Sequence, residues 1–230
     1  MISLMRIDHD PFGEKKDIMI IRHGSTALNA GSGGKDRIRG WRDVPLSPKG
    51  EQEIKATAEK LADSGLQVLV HSDLSRAAKT AQAVSRTTGA TSIPSPALRP
   101  WNVGHFTGRE SDVVTPKLRD FVCRDPDEPI PGGEAFNTFK ERVFTGVRQA
   151  LQIAGNASLA LVTHHRVDRL LAAWEKAGQS PDLEIDPNVM FTHGEPPASF
   201  RTMVVNLKAL TGRGAQLVPV DHDPFAGVHV

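Results

Sequence analysis

Three short, uninterrupted apolar runs constrain this chain more than any other feature: residues 18–21, 68–70 and 159–162. A strand with one solvated face alternates apolar and polar residues. Unbroken runs of this length therefore indicate strands buried on both faces. Between and after them the apolar spacing is helical. Ile54, Ala58 and Leu61 follow Ser47-Pro48, an N-cap with proline at the first helical position, and Gly65 offers a stop. Ala77, Ala81 and Val84 predict a helix over 75–87 that ends at Gly89. Phe136, Phe139, Val143, Val147 and Leu151 predict another, closing at Gly155. Val167, Leu170, Leu171 and Trp174 define the next, with Gly178 as its stop. Residues 203–207 read as a late strand and 217–220 as a short edge strand. Strands alternating with helices imply an α/β fold: a three-layer sandwich with a mostly parallel central sheet and helices on both faces.

The stretch 93–133 breaks this rhythm. It holds Pro94, Pro96, Pro100, Pro116, Pro126, Pro129 and Pro131. It reads as a lid-like excursion over one end of the sheet, with a short helix near 117–123. A second proline-rich stretch, 181–197, reads as another pocket wall. No linker divides the chain, so residues 1–230 are expected to form a single domain. Lys and Arg number 28 against 27 Asp and Glu. That balance argues against a nucleic-acid partner. No apolar run approaches the ~18 residues of a membrane span. The N-terminal segment, with Asp8, Asp10, Glu14, Lys15 and Lys16, lacks the apolar centre of a signal peptide. Cys123 is the single cysteine, which fits a cytoplasmic setting. It has no activating neighbour and reads as an inert thiol. Asp-His-Asp-Pro-Phe occurs at 8–12 and again at 221–225; turn chemistry is favoured there over metal ligation.

The chemistry gathers at the strand ends. Arg22-His23-Gly24 follows the first run, Arg76 opens the helix after the second, and His164 closes the third. In open α/β sheets, ligands bind beyond the carboxyl ends of the strands. Helix N-termini at the same edge favour anions. Two arginines and two histidines delivered there point to phosphate, which the planar guanidinium pairs through two oxygens at once. His23 is the candidate nucleophile. Neighbouring arginine charges disfavour imidazolium and keep its lone pair available. Gly24 is expected to let the backbone approach the ligand. Arg22, Arg76 and His164 are expected to stabilise the transferring phosphoryl group.

The chain resembles the histidine phosphatase superfamily, which includes the cofactor-dependent phosphoglycerate mutases. The resemblance rests on residues 20–29 (Ile-Ile-Arg-His-Gly-Ser-Thr-Ala-Leu-Asn) and 39–50 (Arg-Gly-Trp-Arg-Asp-Val-Pro-Leu-Ser-Pro-Lys-Gly). It continues through 71–81 (His-Ser-Asp-Leu-Ser-Arg-Ala-Ala-Lys-Thr-Ala) and Val162-Thr163-His164. Gly132-Gly133-Glu134 before a helix also fits. These motifs follow the family's order over roughly residues 17 to 175. The resemblance implies a phosphohistidine on His23, with Arg22, Arg76 and His164 completing the phosphate pocket and Asn29 contacting the phosphoryl group. It implies a phosphomonoester hydrolase with no cofactor and no metal, acting on a phosphorylated small molecule. These motifs identify neither the substrate nor the oligomeric state.

Two departures matter. The family's proton-donating carboxylate follows a Leu-x-Glu pattern, but here the text is Leu98-Arg99-Pro100-Trp101-Asn102-Val103-Gly104. Pro100 and Asn102 donate no acidic proton. His105, Glu110 and Asp112 are the candidate substitutes. The second histidine is followed by His165 and Arg166 instead of glycine. Arg166 and Arg169 are read as a solvated helix face, in preference to contacts with a polyanionic substrate. His71 reads as structural; His193, His222 and His229 read as surface residues. Trp41 and Trp101 divide evenly between pocket mouth and packing. Loss of the acid keeps a catalytically impaired phosphate- or phosphoprotein-binding module in view. A phosphoglycerate mutase ranks third, because the longer loop of that subgroup is missing.

Overall fold

The computed structural model describes residues 15–29, 35–179, 184–191 and 196–210. The expected strand at 217–220, the segments at 8–12 and 221–225, and His193, His222 and His229 lie outside the described residues, as does much of the stretch 181–197. Five strands form one sheet: β1 (Lys15–Arg22), β2 (Val68–His71), β3 (Thr91–Pro94), β4 (Leu159–Thr163) and β5 (Phe200–Asn206). Their order is β3-β2-β4-β1-β5. The first four run parallel, and β5 adds antiparallel to β1. The helices are α1 (Pro48–Lys60), α2 (Ser75–Thr88), α3 (Ser111–Arg124), α4 (Phe136–Ala154), α5 (His165–Lys176) and α6 (Leu207–Leu210). No helix among the described residues is long and apolar enough to cross a membrane.

The unbroken apolar runs are explained by two cores. Ile18 and Ile20 of β1, with Leu159 and Leu161 of β4, pack on one face against Val114, Leu118, Phe139, Val143, Leu170 and Trp174 of α3, α4 and α5. Met19, Ile21, Ala160 and Val162 pack on the other face against Ala58, Ala77, Ala81 and Val84 of α1 and α2. Each strand residue is apolar because each faces a helix layer. Register then sets the functional edge. Arg22 lies opposite Thr163, and His71 lies opposite Val162. The carboxyl ends of β1, β4 and β2 therefore finish side by side.

The excursion is more ordered than its prolines suggest. Its first residues belong to β3, which pairs with β2, and two short 3-10 turns follow at Pro96–Leu98 and Gly104–Phe106. The expected short helix at 117–123 is a 14-residue helix, α3. Pro116 lies within it. Its missing N–H removes one hydrogen bond, and burial of Val114, Leu118 and Val122 carries the helix through. Glu134 ties this region down. Its carboxylate accepts from the Asn102 backbone N–H at 2.8 Å and from Arg142 Nη2 at 2.6 Å.

Two glycines fix the loop after β1 on the start of α1. A Cβ on Gly24 would lie 2.7 Å from the Gly50 carbonyl and 2.7 Å from Ile54 Cγ2; one on Gly50 would lie 2.0 Å from the Ser25 carbonyl. Gly24 is thus required for packing against α1. Ser47 caps α1 by accepting from the Gly50 N–H at 3.1 Å, as its position predicts. Gly50→Ala is expected to destabilise the protein by about 3 kcal/mol through overpacking. Chemical denaturation should show a lower midpoint at unchanged slope.

Candidate active site

His23 follows β1, and its backbone N–H donates to the Thr163 carbonyl at 3.0 Å, so the sheet ladder holds it. Its Nδ1 lies 2.7 Å from the Gly24 carbonyl oxygen. A carbonyl only accepts, so Nδ1 carries the proton and Nε2 keeps the lone pair in the neutral ring. His164 follows β4 and lies edge-on to His23, with ring centroids 4.9 Å apart. Its Nε2 is 2.8 Å from Ser72 Oγ, and its buried Nδ1 has no hydrogen-bond partner. Arg76, in the first turn of α2, is 1% exposed. Its Nη1 and Nη2 donate to the carbonyls of Arg42 and Gly40, leaving Nε unpartnered. Asp43 anchors that helix start by accepting from the Ser75 N–H and hydroxyl.

His23, Arg76 and His164 line one cavity of about 210 Å³. Arg22 is buried and is not among the residues that line it; burial and the Arg39 charge weigh on its guanidinium, with Asp168 opposing them. Asn29 stands apart from the wall. Its Oδ1 accepts from the Thr26 N–H and hydroxyl and closes the turn that follows the loop. Glu53 steadies the same loop through both the N–H and hydroxyl of Ser25.

The rest of the wall departs from expectation. Asp36, Arg39, Trp101, Ser111, His165, Arg166, Arg169 and Phe191 all border the cavity. Arg166 and Arg169 therefore do not form a solvated face. The Arg166 guanidinium lies 5.7 Å from the Trp101 ring and 5.8 Å from the Phe191 ring. Its Nη1 is sealed from solvent without a partner, as are Arg169 Nε and His165 Nε2. A signal for this was present in the sequence. Helix N-termini disfavour cations, yet α5 opens His165-Arg166, so an anion is implied nearby. Trp101 settles as both packing and wall: it is fully buried against Phe136 and Phe139 and borders the cavity. Trp41 is packing, its indole N–H donating to the Pro100 carbonyl at 2.8 Å. His71 is structural, with Nδ1 on the Ser72 carbonyl.

None of the three proton-donor candidates lines the cavity. Glu110 pairs with Lys35 and Arg37, Asp112 lies 3.8 Å from Lys35, and His105 sits on a 3-10 turn beside Gly132. Asp36 is the one carboxylate among the described lining residues. It accepts from Ser111 Oγ at 2.6 Å and faces Arg39 Nη1 at 3.5 Å. No group of three or more His, Cys, Asp or Glu among the described residues is placed to hold a metal. Cys123 is exposed and its thiol is raised by burial of its surroundings and nearby carboxylates, so it is not activated.

The cations depress one another. His23 and His164 are held well below the usual imidazole range, by burial first and by charged or polar neighbours including Arg76 second. His165 is pushed down to about 2 by burial and then by Arg22 and Arg169. Arg22, Arg76, Arg166 and Arg169 are each lowered to about 10, chiefly by burial, and remain charged at neutral pH. A histidine lowered on folding binds its proton more readily in the unfolded chain. Stability is therefore lost as pH falls below the unfolded value near ~6.5. For His165 the loss is roughly 2 kcal/mol by pH 5. Urea unfolding at pH 7.5 and 5 should show this fall, and His165→Gln should make it smaller by about one proton's worth.

The family model for branch 1 of the histidine phosphatase superfamily matches residues 18–192. A probable phosphoglycerate mutase of Escherichia fergusonii is 30% identical over 151 residues, covering 64% of this chain and 68% of that protein. A mycobacterial glucosyl-3-phosphoglycerate phosphatase, solved in complex with VO3, superposes with a TM-score of 0.65 at 27% identity over 81% of this chain and 91% of that one. A phosphoglycerate mutase from Thermus thermophilus superposes with a TM-score of 0.59 at 27% identity, again over 81% and 91%.

Proposed function

Because the chain belongs to branch 1 of the histidine phosphatase superfamily, we propose that it is a phosphomonoester hydrolase working through a covalent phosphohistidine on His23. The observation that carries this reading is the His23 tautomer. The Gly24 carbonyl holds the proton on Nδ1, so Nε2 presents its lone pair at a cavity shared with Arg76 and His164. Nε2 attacks phosphorus, and the bond to the leaving oxygen breaks with its electron pair on that oxygen. The leaving oxygen departs as an aryloxide or takes a proton from water. Water then attacks the phosphohistidine, the P–N bond breaks with its pair returning to Nε2, and the proton that this water loses leaves with the orthophosphate. Arg76 meets the phosphoryl oxygens with the N–H groups its carbonyl partners leave over, while Arg22 adds charge from behind the wall. The Nδ1 of His164 is the third donor or acceptor facing this chemistry. Asn29 contributes indirectly by holding the turn after the loop.

Charge neutralisation comes from guanidinium groups, and a cluster this cationic disfavours a resident metal cation. The reaction is accordingly proposed to be metal-independent. An activated aryl phosphate should turn over with the same rate in the presence of a chelator. No turnover between pH 5 and 8, alongside tight vanadate binding, would instead indicate a phosphate-binding module. The kinship with mutases adds a second assay. Interconversion of 2- and 3-phosphoglycerate, with a bisphosphoglycerate primer supplied, would assign mutase activity to this site; hydrolysis without interconversion is the result expected.

A further inference from the structure

The cavity wall beyond the phosphate pocket is built for a second anion. Arg39, Arg166 and Arg169 border it together with His165. Arg166 Nη1 and Arg169 Nε are sealed from water and have no protein partner. A buried charged donor left unpaired carries a substantial desolvation cost, so an anion in the cavity that both side chains border is favoured. The remaining contacts fix the side chains without satisfying them. Arg169 Nη1 donates to the Met190 carbonyl, and Arg166 is held between Trp101 and Phe191. Arg39 links the two halves of the site: its charge acts on His23, His164 and Arg76 on one side and on His165 and Arg166 on the other.

A second observation concerns the leaving group. Asp36, the one carboxylate among the described lining residues, is engaged as an acceptor by Ser111 Oγ and faces Arg39, contacts that suit an acceptor and not a proton donor. An alkoxide leaving group has a conjugate acid far too weak to depart unprotonated at neutral pH. A phosphate leaving group does not need that proton: the second ionisation of a phosphate monoester lies near ~6, so the departing dianion is stable at neutral pH. Guanidinium groups stabilise it directly.

We propose that the substrate is a phosphoanhydride: a diphosphate whose terminal phosphoryl group is transferred to His23 while Arg39, Arg166 and Arg169 hold the departing phosphate. The inference rests on the phosphohistidine reading, keeps its nucleophile, and puts a phosphate in place of the ester's leaving oxygen. His23 Nε2 forms the N–P bond to the terminal phosphorus. The bridging P–O bond breaks, and its electron pair becomes the charge on the departing phosphate. Water then releases orthophosphate, its proton leaving with that product. The sum is a diphosphate and water giving two phosphates, with no oxidant or further reactant.

The test compares three probes on the full chain with a chelator present: inorganic pyrophosphate, an alkyl phosphate such as glycerol phosphate, and an aryl phosphate. Pyrophosphate is expected to exceed the alkyl ester in kcat/KM by about 100-fold or more. Arg166→Met is expected to lower pyrophosphate turnover at least about tenfold more than aryl phosphate turnover. An alkyl ester that matches or exceeds pyrophosphate in the wild-type protein would overturn the inference, with no dependence on how the variant folds. Equal losses on both probes in Arg166→Met would also overturn it. Aryl phosphate turnover that survives His23→Ala would instead overturn the phosphohistidine reading beneath it.

Discussion

His23→Ala is expected to lower hydrolysis of an aryl phosphate by about four orders of magnitude or more. The variant removes the group that forms the covalent bond, and no neighbour replaces it. His164 is engaged through Nε2 with Ser72, and its ring lies edge-on to that of His23. The fold should persist. The backbone bond from residue 23 to the Thr163 carbonyl does not involve the ring, and only the Gly24 carbonyl loses a partner. Removing a buried imidazole from among arginines also removes an unfavourable neighbour at low pH. Steady-state kinetics with a thermal melt on the same preparation separate a lost nucleophile from a lost fold.

Arg76→Met carries the second largest effect, and it acts on binding, rate and stability together. The side chain is fully enclosed and donates to two backbone carbonyls on the segment 40–42. Methionine fills the space without donating. The buried Gly40 carbonyl is then left unpaired, at roughly 1–3 kcal/mol, and the part-buried Arg42 carbonyl loses its donor to water at a smaller cost. The same change removes the guanidinium facing the phosphoryl group, a loss of about 100- to 1000-fold in kcat/KM. Arg76→Lys is expected to fail as a rescue. An ammonium keeps the charge but lacks the planar fork that spans both carbonyls and the ligand. Vanadate inhibition should weaken in both variants; an unchanged vanadate affinity would place the phosphoryl group elsewhere in the cavity.

The framework of this protein was legible because its signals are local or periodic. The runs at β1, β2 and β4 lack polar residues, since α3, α4 and α5 cover one face and α1 and α2 cover the other. Ser47-Pro48 marks the start of α1, and Gly89 and Gly155 mark the stops of α2 and α4. The placement of His23, Arg76 and His164 around one cavity follows from parallel strands in register at their carboxyl ends. What escaped the sequence depends on tertiary approach. Gly24 and Gly50 look like permissive loop and helix residues, but each is needed because the other segment's backbone lies against it. Asp36 and Arg39 reach the cavity only because the loop carrying them folds against the start of α3, where Ser111 bonds to Asp36. Arg166 and Arg169 have the spacing of an exposed helical edge, and only the packing of Trp101 and Phe191 turns that edge inward. The helix expected near 117–123 begins earlier because α3 runs through Pro116, whose single lost hydrogen bond is outweighed by three buried aliphatic side chains.

The central claim is that a phosphoryl group passes through His23 Nε2. Rapid quench into alkali during aryl phosphate turnover, followed by peptide mass spectrometry, tests it most directly. Phosphorus–nitrogen bonds of phosphohistidine survive alkali and are lost in acid. The account predicts an alkali-stable, acid-labile phosphate on the peptide carrying His23, absent from His23→Ala. Full turnover with no phosphate on that peptide, or a phosphate on a peptide lacking His23, would contradict it.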